Sequence, residues 1–141
     1  MRKLRVYARD LAFALRGRAP GTVHYLDLET GDVIPVFAFN RERVLATVRA
    51  EPGRYLRLAP RAGRHDYAVM SRFVETVDDD ALRGRLRSVI DGAGAFARFR
   101  AELEPHRNEL TRWEHYRAEQ AAADLARRLL AQDIELALEF D

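Results

Sequence analysis

Arginines are the residues of this chain whose types and spacing come nearest to chemistry. Arg83 and Arg87 stand four apart, Arg98 and Arg100 follow a pair of glycines, and Arg112 and Arg117 belong to the next helical stretch. A guanidinium offers a fork of donors that matches a phosphate or a carboxylate. If these stretches pack as helices, Arg98 and Arg117 share a surface and could bind an anion or a partner's carboxylate. The competing expectation is that the arginines pair with Asp91, Glu114 or Glu119, leaving only a solvated face.

Other chemistries find less support. "DGAGAF" places Gly92 and Gly94 in half of a dinucleotide fingerprint, but a helix precedes it where a strand is required, and the third glycine is missing. These glycines read better as a joint between two helices, one of them a left-handed C′ residue. Phe96, Phe99, Trp113 and Tyr116 could stack bases, yet their helical spacing points to core packing. The histidines are His24, His65, His106 and His115, with no HExxH, so no metal site is expected. Asp27, Glu29, Asp66, Glu75, Asp91, Glu114 and Glu119 supply carboxylates but no recognisable acid–base pair. No GxSxG is present to support a serine nucleophile. No catalytic residue and no cofactor are expected.

Composition sets the outer bounds. The chain has 141 residues, 48% hydrophobic and 33% charged, which suits one folded domain with a substantial core. The formal charge is only +2, so there is no strong net field to collect nucleic acid. Lys3 is the lone lysine among 24 basic side chains. Cysteine is absent, which excludes disulfides and thiolate chemistry and suits the cytoplasm. No apolar run approaches the roughly 20 residues that span a bilayer. Arg5, Arg9 and Asp10 interrupt the apolar N-terminus, which reads as a mature strand or helix rather than a leader.

The elements that would position these side chains follow from periodicity. Leu11, Ala14 and Leu15 mark a helix stopped by Gly17, Pro20 and Gly21. His24, Leu26 and Leu28 alternate with Val23, Tyr25 and Asp27. The turn "ETGD", with Gly31 free to take positive φ, then returns the chain as "VIPV", so residues 23–36 form a hairpin. Pro35 puts the returning strand at an edge. A helix capped by Asn40 carries Val44, Leu45 and Val48, and residues 54–58 make a third strand. The rest is helical. Tyr67, Met70, Phe73, Val74 and Val77 share one face, and Leu82, Leu86, Val89 and Ala93 the next. Phe96, Phe99 and Leu103 follow. "TRWE" reads as a capping box opening the longest helix at Thr111, lined by Trp113, Tyr116, Leu125 and Leu129 and running to about Gln132. "IELALEF" is a last strand or an extended tail.

"YLDLETGDVI" (25–34), "RYLRLAP" (54–60), "DYAVMSRFVETV" (66–77), "GAFARF" (94–99) and "WEHYRAE" (113–119) occur in this order. Together they resemble uncharacterised protein family zero-one-five-eight, a bacterial family with no assigned activity. The likeness runs from about residue 8 to 134, and its last two motifs are its most specific. The chain departs from the family pattern at Ala93 and Ala97, where arginines are usual, and at Ala118, where aspartate is usual. The resemblance implies a shared fold and no catalytic residue. It also places Arg117 and Glu119 within its most specific part.

The expected fold is therefore α+β. A small antiparallel sheet of about three strands, the hairpin 23–36 plus strand 54–58, packs against a bundle of four or five helices. Residues 1–141 form a single domain, with a mixed layer over 1–61 and a helical layer over 62–135. The expected function is a non-enzymatic, cytoplasmic protein-binding or regulatory module with an unknown protein partner and no membrane contact. Nucleic-acid or nucleotide binding through arginines of the helical half is the alternative. The candidate binding residues are Arg98, Arg100, Arg117 and Glu119, with Arg98 held outward by the glycine joint.

Overall fold

In the computed structural model, which describes residues 1–16, 23–59 and 64–140, the chain runs β1 (Arg2–Tyr7), α1 (Ala8–Arg16), β2 (Val23–Asp27), β3 (Val33–Val36), α2 (Arg41–Ala50), β4 (Tyr55–Leu58), α3 (Arg64–Val74), α4 (Asp80–Ser88), α5 (Ala95–Leu103), α6 (Arg107–Leu130) and β5 (Ile134–Glu139). The expected α+β class holds. β2, β3 and β4 form a three-stranded antiparallel sheet in the order β3-β2-β4, with β3 at an edge as Pro35 requires. The two ends of the chain add a parallel pair, β1 with β5, in which Arg2 lies opposite Ile134 and Tyr7 opposite Glu139. The stop at Gly17, Pro20 and Gly21 lies outside the described residues, as does the side chain of His65. Among the described residues, no helix is long and apolar enough to cross a membrane.

Two compact units are present. Met1–Arg61 and Ala121–Asp141 form one, and Ala62–Gln120 the other. The composition shift near residue 62 coincides with the first boundary, while the second falls inside α6. Each unit has its own apolar cluster. The first gathers Leu4 and Val6 from β1, Leu11, Ala14 and Leu15 from α1, and Leu26, Leu28 and Leu58 around the sheet, with Leu125 and Leu129 from α6 and Ile134 from β5. The second joins Met70, Phe73 and Val74 of α3 to Leu82 and Leu86 of α4, Phe99 and Leu103 of α5 and Trp113 of α6. The rings of Phe99 and Trp113 lie 4.8 Å apart, and those of Phe73 and Trp113 5.1 Å apart. Full burial of such side chains is worth about 1.5–3 kcal/mol each.

Several local expectations need correction. The longest helix does not open at Thr111. It starts at Arg107, because Pro105 and His106 make the break and the His106 carbonyl accepts the first helical bond from the Leu110 N–H at 2.9 Å. Thr111 is inside α6, where no terminal amide is left for its hydroxyl to cap. Asn40 is the N-cap residue of α2, but its side chain makes no cap bond. Asp79 does cap α4, accepting from the Leu82 N–H at 3.1 Å, which also lowers its pKa. Gly92 is not the C′ residue of α4, since that helix ends at Ser88 with Val89 as C-cap. Gly92 and Gly94 both have φ near +80°, and Gly94 is the N-cap of α5, so the joint is longer than one capping turn. Ala93 and Tyr67 are exposed rather than inward.

Candidate functional site

The four residues singled out from the sequence all lie in Ala62–Gln120. Arg98 is not held outward as a free cation. Its guanidinium turns back to donate to the carbonyls of Ala93 at 2.7 Å, of Asp91, and of Val89 at 3.4 Å. It thereby ties down the turn that Gly92 and Gly94 allow. Arg100 pairs with Glu114 at 2.8 Å and Glu104 at 3.9 Å. Arg117 lies over the ring of Phe96, 4.4 Å from its centroid, a cation–π contact. Glu119 is exposed on α6. Arg98 and Arg117 are thus turned to different work, one onto its own turn and the other onto an aromatic ring.

Arg83, Arg85, Arg87 and Arg112 of this unit are engaged in the same way. Arg83 donates to the Val77 carbonyl at 2.7 Å and to Asp80. Arg85 pairs with Glu102 at 3.3 Å and Arg87 with Glu75 at 2.8 Å. Arg112 bridges Glu109 and the Thr76 hydroxyl, each at 2.7 Å, while covering Phe73. Exposed pairs of this kind are each worth about 0–1 kcal/mol, so their effect is mainly to neutralise the surface.

The sheet-bearing unit contains a polar node that sequence reasoning did not find. Asp27 is only 4% exposed. Arg54 meets it with a two-pronged bond, Nε to Oδ1 at 3.0 Å and Nη2 to Oδ2 at 2.9 Å. The Glu29 and Thr30 amides also donate to Oδ1, at 2.9 and 3.4 Å, so this carboxylate closes the hairpin turn as well. Arg54 foremost, with the turn amides, holds the Asp27 carboxyl down to about 2. The same pairing raises the Arg54 pKa. A carboxylate held so low is a poor general base. Asp27 ties the turn amides to Arg54. Beside it opens a cleft of about 500 Å3 lined by Arg2, Leu28, Glu29, Glu51, Arg54 and Gln132 among others. Glu29 and Glu51 flank the Arg54 Nη1 at 3.2 and 3.6 Å. Among the described residues no group of three or more His, Cys, Asp or Glu is placed to hold a metal ion.

The second feature missed from the sequence is aromatic. Phe37 and Phe39 follow edge strand β3 and stack on each other, with centroids 5.3 Å apart and planes 15° from parallel. They are 41% and 85% exposed. Asn40 builds this turn instead of capping α2. Its Oδ1 accepts from the Phe37 N–H at 2.6 Å and its Nδ2 donates to the Pro35 carbonyl at 3.1 Å. Nearby in the same unit, Phe13 is 64% exposed and meets the buried His24 edge-on at 5.8 Å. His24 Nε2 has no hydrogen-bond partner among the described residues, and burial lowers the pKa of the ring. The signal in the sequence was "FAFN": two phenylalanines two residues apart beside a turn-forming asparagine, just after a strand ending in proline and valine.

A UPF0158 protein of Pseudomonas aeruginosa is 29% identical over 120 residues, covering 84% of this chain and 77% of that protein. No solved structure matches the chain. The family described as Uncharacterised protein family (UPF0158) matches over residues 2–141, and this chain belongs to it.

Proposed function

We propose that this chain is a non-enzymatic protein-binding or regulatory module, working in the cytoplasm, that engages its partner through Phe37 and Phe39. One observation carries this reading: two stacked rings, the second 85% exposed, fixed in place by the Asn40 side chain. Solvent-facing phenylalanine costs a chain the burial energy of about 1.5–3 kcal/mol per side chain, which a partner's surface would restore. Rigid aromatic anchors dominate the energetics of many interfaces, and a turn already held in its bound shape lowers the ordering cost of association. The nucleic-acid alternative has less support. Arg83, Arg85, Arg87, Arg98, Arg100, Arg112 and Arg117 are engaged with carboxylates, carbonyls and aromatic rings of their own unit, so a phosphate backbone would have to displace those partners.

Placing a photo-crosslinking benzoylphenylalanine at position 39, and separately at position 117, in the intact protein inside its source cell tests this. The expected result is one discrete protein adduct from position 39, lost when Phe37→Ser is added, and none from position 117. Adducts from position 117 alone would move the interface to the helical unit. Oligonucleotide binding that falls steeply with salt and disappears in Arg98→Glu or Arg117→Glu would replace the reading with the nucleic-acid one.

A further inference from the structure

Among the described residues, no strand pairs with β5 on the side away from β1. A two-stranded sheet is marginal by itself, and parallel strands are ordinarily covered by further strands and helices. The other edges in this unit are blunted. β3 has four residues and contains Pro35, and β4 also has only four. On β1, the Arg5 carbonyl lies against the hairpin turn, so close that a Cβ built on Gly31 would come within 1.9 Å of its oxygen. β5 differs. It has six residues without proline, and among the described residues its backbone ladder has β1 as sole partner. Leu136, Ala137, Leu138 and Glu139 are only half-buried.

The register shows what such an edge accepts. β1 sets Lys3 opposite Glu135, Arg5 opposite Ala137 and Tyr7 opposite Glu139, all on one face. Arg5 also approaches Glu139 at 3.7 Å. On the other face Leu4 and Val6 lie opposite Leu136 and Leu138 and join the core cluster. β5 is therefore already matched on one side to a strand that alternates basic and apolar residues. A second copy of β5 fits poorly on the free side. Antiparallel pairing about Ala137 would set Glu135 against Glu139 of the other copy, and like charges directly opposite are destabilising. We infer that the free edge of β5 is a docking site for an extended segment of another protein with alternating basic and apolar residues, added as a third strand. The site is separate from the Phe37–Phe39 surface and stands without it.

The test uses the whole protein with two blocked synthetic peptides at millimolar concentration and low salt, VKVKVKV and VEVEVEV, read by amide hydrogen exchange and titration calorimetry. The lysine peptide should bind and slow exchange across residues 134–139 by about tenfold or more, while the glutamate peptide does not. Glu135→Lys with Glu139→Lys should invert that preference. Glu135→Lys alone, at an exposed position, should already weaken the lysine peptide if the double variant fails to fold. Absence of protection with either peptide overturns the docking site. Equal protection by both overturns the charge selection, and sedimentation as a dimer that Glu135→Lys alters would make a second copy the occupant. None of these outcomes depends on Phe37 or Phe39, so crosslinking at position 39 can succeed or fail independently.

Discussion

Asp27 shows how position in the fold decides what surrounds a carboxylate. Its two oxygens are shared between the Arg54 guanidinium and two turn amides, and the carboxyl titrates near 2 instead of 3.8. The unfolded chain therefore takes up a proton at a higher pH than the folded one. The stabilisation is complete above about pH 4 and is lost as pH falls toward 2. Asp27→Asn should lower stability by on the order of 2 kcal/mol at neutral pH, measured by urea unfolding. The gap between wild type and variant should close as the pH is lowered through that window. A gap that stays constant with pH would mean that packing, not the ionised pair, carries the effect. At the same scale, Arg98 has spent its donors on Val89, Asp91 and Ala93, which makes it part of the joint it was expected to project from.

Two glycines separate a conformational demand from a spatial one. Gly31 and Gly92 share almost the same backbone, with φ of 83° and 80°. A Cβ at Gly92 meets nothing within 4 Å, whereas one at Gly31 would collide with the Arg5 carbonyl. Gly92→Ala should cost about 1–2 kcal/mol, the ordinary penalty of a left-handed residue. Gly31→Ala should cost more than about 3 kcal/mol, because the hairpin turn must also move away from β1. Thermal melts of the two variants, side by side, check this; equal losses would mean that the turn and β1 separate easily. The glycine-turn signal in "ETGD" was readable because turn chemistry is local. The contact with Arg5 was not, since it joins segments 26 residues apart.

At the level of the whole chain, the sheet-bearing and helical units each close around their own apolar cluster. Phe99 is fully buried between Phe73 and Trp113. Phe99→Ala should therefore cost about 3–5 kcal/mol, and the loss should be local at first. Amides of α3, α4 and α5 should exchange faster in the variant than those of β2 and β4, which belong to the other cluster. Uniform acceleration over all of them would show that the two clusters unfold as one. The same partition explains the charge pattern. Arg85, Arg87, Arg100 and Arg112 find their acidic partners within the helical unit, so its surface is laced with pairs and carries little concentrated charge.

The sequence by itself determined what depends on near neighbours. Alternation over residues 23–28 made a strand, the 3.6-residue stripes of Leu11–Leu15 and Leu82–Leu86 made helices, and Pro35 kept its strand at an edge. The ordered motifs also carried the family, whose match spans residues 2–141. Even locally, "TRWE" misled, because a capping box works only where terminal amides are free and α6 had already started at Arg107. Tertiary structure alone decided the bond from Arg54 to Asp27, the closeness of Gly31 to Arg5, the pairing of β1 with β5 from opposite ends of the chain, and the acidic partners of Arg85, Arg87 and Arg100. The physical reason is that helices and turns are fixed by bonds and sterics within about four residues. Long-range pairings are chosen only when the cores close and bring distant segments together. The exposed stack of Phe37 on Phe39 belongs to both classes: the residues are only two apart in sequence, but which face the fold left uncovered was settled by packing.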